Sequence, residues 1–157
     1  MTNQHIHTKV RVTAELFLGV MMLACGCCIY LLFRSNSLYL YQWCSVMGLS
    51  DSIDFVRHAV KDWNLPHVVR YSLPDGLYCA AYLIMVDAVW YNEKGLTKYF
   101  VLSIVPAITI TSEVLQYWGL VQGTFDAFDL VFYLVPSLVY SIVHLIHMCP
   151  VHESKIT

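Results

Sequence analysis

Four apolar runs, each close to the roughly 20 residues that a helix needs to cross a bilayer, punctuate the chain and restrict its fold more than any other feature. A backbone in hydrocarbon must satisfy its own amides and carbonyls, so runs of this length become helices. The sequence therefore predicts an all-α, polytopic membrane protein: a four-helix transmembrane bundle forming a single membrane domain over residues 1–157, with spans near 14–33, 74–91, 99–118 and 127–147. Composition agrees, with 58% hydrophobic and 13% charged residues, where a soluble domain has about 25% charged.

A basic start followed by an apolar run and Leu23-Ala24-Cys25 also fits a lipoprotein signal. The run continues through Ile29 to Phe33, where a processed lipoprotein would turn polar, and this favours a span. The net charge is −2 and the nine Lys and Arg residues are scattered, so no nucleic-acid footprint is visible. Most of the six cysteines fall in apolar runs, where a thiol acts as a small hydrophobe, and they form no disulfide framework.

Residues 35–72 form the one long connection, and a structureless loop of that length would be unusual. Ile53, Val56, Val60 and Trp63 share a helical face, opposite Asp54, Arg57, His58, Lys61 and Asp62. This pattern predicts an interfacial helix over about 51–63, with Tyr39, Tyr41 and Trp43 at headgroup level. Pro74, with Ser72 and Asp75 in a capping-box-like arrangement, predicts the start of span two. Asp87 lies near the other end of that span and is read as paired or neutral within the bundle. The short Asn92–Gly95 turn makes spans two and three antiparallel neighbours.

Four spans place Asp75, Glu113, Gln116, Asp126 and Asp129 on one side of the membrane. Glu113 and Gln116 share one helix face, and Asp126 and Asp129 repeat the spacing at the head of the next span. His58, His67 and Arg70 in the long connection lie on that same side. An acidic residue at a helix centre costs about 2.5–3.5 kcal/mol on insertion scales, so each carboxylate needs an offset. Helix capping offers one for Asp75, Asp126 and Asp129. Glu113 lies near a helix C-terminus, the end that disfavours a carboxylate; burial beside Gln116 as a neutral acid, or pairing with Arg70, would each satisfy it.

Glu113-x-x-Gln116, followed by Thr124-Phe125-Asp126-x-x-Asp129 at the start of an apolar helix, resembles the core of the VanZ-like family of small bacterial membrane proteins. Asp75 at the start of the preceding span fits the same pattern, and the likeness covers residues 73–140. The chain departs from that family at Gly123, where an Arg is usual, at Tyr133 in place of an Asn, and at Gly76 and Cys79 in place of Lys and His. The resemblance implies a bacterial inner-membrane protein of the cell envelope, its best-known relative being associated with glycopeptide resistance, and it implies no established reaction.

These readings converge on an outward-facing acidic pocket, with Asp75, Glu113, Gln116, Asp126, Asp129, Arg70 and His67 as its candidate residues, that binds a lipid or an amphiphile. The alternatives are a membrane enzyme acting on lipid-linked headgroups and a small subunit of a larger membrane complex. No phosphate loop, nucleophile elbow or zinc-protease motif supports catalysis, and catalytic residues are not assigned. No cofactor is expected; a divalent cation among the carboxylates is the weaker option. His5, His7, His144, His147, Cys149 and His152 have ligand types for a transition metal without a familiar spacing, and are read as interfacial. The expected partners are membrane lipids, with a membrane protein partner as an alternative. Lys9, Arg11, Lys94, Lys98 and Lys155 against Arg34, Arg57, Lys61 and Arg70 place the termini in the cytoplasm by a narrow margin.

Overall fold

A computed structural model describes residues 2–35, 38–93 and 95–148. Six helices follow in order: α1 (Thr2–Phe33), α2 (Tyr39–Val46), α3 (Ser50–Ala59), α4 (His67–Val89), α5 (Leu96–Tyr117) and α6 (Ala127–Met148). Four of them, α1, α4, α5 and α6, are long and apolar enough to cross a membrane. The all-helical membrane bundle read from the sequence is the architecture found.

Helix α4 is the centre, packing along α1 and α6 and over a shorter stretch of α5. It is the least apolar of the four spans, and α1 is the most apolar. That ordering suits a bundle in lipid, where the apolar faces point outward and small or polar residues make the helix contacts. Ser72, Pro74, Gly76, Cys79, Ala81, Leu83 and Ala88 are the buried residues of α4. Gly76 is required by sterics, since a Cβ there would lie 2.7 Å from Cδ1 of Phe132 on α6. Gly19 of α1 lies against the side chain of Met85 of α4.

Two boundaries differ from expectation. Span two starts at His67, not at residue 74, because Pro66 with extended geometry already serves as its N-cap (φ −53°, ψ 146°). Pro74 therefore lies within α4, fully buried, and Ser72 and Asp75 form no capping box. A proline in a membrane helix is tolerated when its neighbours fill the gap it leaves. The interfacial helix α3 stops at Ala59 rather than near residue 63, since the chain beyond must become extended before Pro66. Upstream, the aromatic segment around Tyr39, Tyr41 and Trp43 forms a second short helix, α2, and Gly48, at φ +74°, turns α2 into α3.

Arg57 fastens this pair of helices to the bundle. Its Nε donates to the carbonyl of Leu31 at 2.6 Å and Nη2 to that of Arg34 at 3.0 Å, so a cation from α3 caps the last carbonyls of α1. Its guanidinium also lies over the Tyr41 ring, 4.8 Å from the centroid. The Tyr41 hydroxyl donates to Asp54, at 3.0 and 3.1 Å from its two oxygens, and this bond holds the phenol proton above its ordinary range. Losing hydrogen bonds from a charged group costs about 1.5–3 kcal/mol. Arg57→Gln is expected to speed amide hydrogen exchange across residues 50–59 by about ten-fold or more, leaving exchange in α4 and α6 unchanged. Equal rates in variant and parent would mean that Arg57 does not hold α3 in place.

Candidate functional site

At the end of the bundle where α1 and α5 finish and α4 and α6 begin, the acidic residues meet. Asp126 is the residue before α6, and its Oδ1 accepts the backbone N–H of Phe128 at 2.9 Å, the N-cap bond that the sequence predicts. Asp129 follows in the first turn, where the positive helix end favours it. Glu113, four residues before the end of α5, is only 6% exposed. Its carboxylate accepts a hydrogen bond from the backbone amide of Asp126, which ties the end of α5 to the start of α6.

Asp75 differs from the sequence reading. It lies eight residues into α4, about 12 Å along the axis, and no capping role is open to it. Its side chain hydrogen-bonds Tyr133 of α6, and it sits within the electrostatic reach of Arg34, Asp129 and Glu113. Four carboxylates thus share one region with a single guanidinium. The guanidinium that acts on Asp75 is that of Arg34; Arg70, which the sequence offered to Glu113, is exposed and lies against the ring of Tyr71, at 5.9 Å. His67 is at the rim, with Nδ1 4.0 Å from Oδ2 of Asp126 and its ring 4.4 Å from that of Tyr71.

Gln116 turns away from Glu113. Its amide donates to Ser112 Oγ at 3.4 Å, and its side chain covers Gly123, where a Cβ would come within 2.6 Å of it. Gly123 adopts φ +146°, a conformation few other residues accept. Gln116 therefore borders the cluster and packs the turn that leads into α6.

The cluster is not closed by its own hydrogen bonds. Oε2 of Glu113, Oδ1 of Asp129, Oγ of Ser72 and Nε of Arg34 are buried without a partner. Ser72 has no exposed surface. Each unsatisfied buried polar atom costs about 1–3 kcal/mol, and more if charged. Three acceptors or donor-acceptors beside one free guanidinium edge are thus a costly arrangement that a ligand with both polarities would relieve.

A second polar cluster lies at the opposite end, and every member of it is paired. Lys98 of α5, 5% exposed, meets Asp87 of α4 at 2.6 Å. Tyr140 of α6 donates to the same oxygen of Asp87 at 2.7 Å. The Tyr99 hydroxyl and His144 Nε2 are 2.7 Å apart, and the His144 ring stacks on Tyr140. The network borders a cavity of about 470 Å³ that Arg11 and Tyr91 also line. The expected pairing of Asp87 is present, whereas Lys98 and Tyr140 as its partners were missed. Their signal was available, because an acid just before a tight antiparallel turn and a base just after it face each other across the two helices. Burial of Lys98 also removes one of the cations counted for membrane orientation.

Arg34, Tyr133 and Ser72 are the members of the first cluster that the sequence reading missed. Tyr133 had a signal, standing one turn beyond Asp129 on the same face. Among the described residues no group of three or more His, Cys, Asp and Glu side chains is arranged to hold a metal ion. The side chains of His5, His147, Cys149 and His152 lie outside the described residues. No family model, no curated protein and no solved structure matches the chain.

Proposed function

We propose that the chain is a VanZ-like protein of the bacterial inner membrane, with its termini in the cytoplasm, whose outward-facing acidic cluster binds a lipid or another amphiphile in an envelope role. The observation that carries this reading is the contrast between the two polar clusters: one is fully paired, the other keeps buried oxygens of Glu113 and Asp129 without partners. A bundle that needed polar contacts only for cohesion would close both, because an unpaired polar atom in the membrane weakens it. The motif of Glu113, Gln116, Asp126 and Asp129 supports the family assignment. The two short helices beside the cluster, with Tyr39, Trp43 and Phe55 exposed, support a site that opens at the membrane interface.

The test uses Glu113→Gln and Asp129→Asn, which keep shape and remove charge. The expected result is a protein that is made, inserted and folded as the parent, with the amount of co-purifying amphiphile reduced by about ten-fold or more. Retention of the same bound lipids by both folded variants would remove the cluster from the binding function.

A further inference from the structure

The partnerless atoms have a pattern of polarity that points to a class of ligand. Two are carboxylate oxygens, on Glu113 and Asp129, and both call for a cation that can donate hydrogen bonds. The third is a guanidinium nitrogen. Arg34 donates through Nη2 to the carbonyl of Tyr71 at 3.2 Å and packs against the rings of Tyr30 and Tyr71, at 4.6 and 5.2 Å from their centroids. Those contacts fix the plane of the guanidinium and leave its buried Nε free, an edge suited to a phosphate oxygen. Asp75 feels both parts of the cluster, the guanidinium on one side and the two carboxylates on the other. Ser72, fully buried one turn before Asp75, adds an unpartnered hydroxyl.

A bare cation would satisfy the carboxylates and leave the Nε of Arg34 without a partner, and a bare anion would do the reverse. Neither of these single charges matches the set. Resting on the reading that this cluster binds an amphiphile, we infer that the ligand carries a phosphoethanolamine-type head group, with its primary ammonium between Glu113 and Asp129 and its phosphate on the Nε edge of Arg34. A primary ammonium has three donors for the two carboxylate oxygens and the Ser72 hydroxyl. A quaternary ammonium has none.

The purified full chain, stripped of lipid in detergent, is offered an equimolar mixture of three chain-matched lipids, and the bound species are read by native mass spectrometry. The mixture contains phosphatidylethanolamine, phosphatidylglycerol and a diacyl trimethylammonium lipid without phosphate. The expected result is retention of phosphatidylethanolamine about ten-fold or more above each of the others. Glu113→Gln with Asp129→Asn is expected to level it with phosphatidylglycerol, and Arg34→Gln to level it with the cationic lipid. The comparison in the unaltered protein carries the head-group claim even if Arg34→Gln does not fold. Displacement by free O-phosphoethanolamine would show that the head group alone is recognised. Displacement only by lipids of matching chains, whatever their head group, would overturn the inference. Equal retention of all three lipids that still depends on Glu113 would overturn the head-group inference and leave amphiphile binding standing. Retention that depends on neither Glu113 nor Asp129 would overturn both.

Discussion

Lys98→Met is expected to be the most destabilising of the substitutions considered, costing about 3 kcal/mol, because it strands a half-buried carboxylate among three helices. Asp87 would keep the hydroxyl of Tyr140 and lose the ammonium that touches it at 2.6 Å. The carboxylate then has to take up a proton or draw water into the bundle, and either outcome loosens the contact of α4 with α5 and α6. The charge alone is not what holds the helices, since a buried pair replaced as a unit by apolar groups is often neutral. Thermal unfolding of Lys98→Met, Asp87→Asn and the double variant separates these effects. The single lysine variant should melt lowest, and the double variant should recover much of the loss. A Lys98→Met protein that melts with the parent would show that the network does not join the spans.

The fold was legible in the sequence where one physical effect dominated. The length of the apolar runs defined the four spans, and the short Asn92–Gly95 turn made α4 and α5 neighbours; both hold. Boundaries were less legible where two similar signals competed. Pro66 and Pro74 both suit a helix start, and the earlier one prevails because nothing between them interrupts a helix. That shift of the helix start from residue 74 to His67 moved Asp75 from a cap, where it costs little, to the interior of a span. The interface helix was visible in its amphipathic spacing, but its attachment was not. Arg57 reaches carbonyls at the end of α1 and one residue past it, 26 and 23 residues away in sequence, and no local pattern encodes that contact.

The candidate site was legible as a set of carboxylates on one side of the membrane. Its partners were not, because hydropathy and spacing assign residues to a face without saying which side chains meet across helices. Arg70 and Gln116 were the nearest candidates in sequence for Glu113. The structure gives that role to the Asp126 backbone amide, and it gives Asp75 the hydroxyl of Tyr133 and the guanidinium of Arg34. Tyr133 occupies a position where the resemblance expected Asn. A phenol reaches farther than a carboxamide, which suits a partner on the neighbouring helix.

Stability and binding are expected to part at Glu113, and this separates a ligand site from structural cohesion. In the folded protein the Glu113 carboxylate has an unpartnered buried oxygen and lies near Asp126, Asp129 and Asp75. A glutamine of the same shape keeps an oxygen to accept the Asp126 amide, removes one of the crowded negative charges and brings N–H donors among carboxylate acceptors. Residues retained for function often cost stability in this way. The measurement that tests the central claim most directly is the melting temperature of delipidated Glu113→Gln beside that of the delipidated parent, at the same pH and in the same detergent. A ligand site predicts a variant that melts higher, by about 2–4 °C for a gain of about 1 kcal/mol, yet binds less lipid. A variant that melts several degrees lower would make Glu113 part of the scaffold and contradict the account.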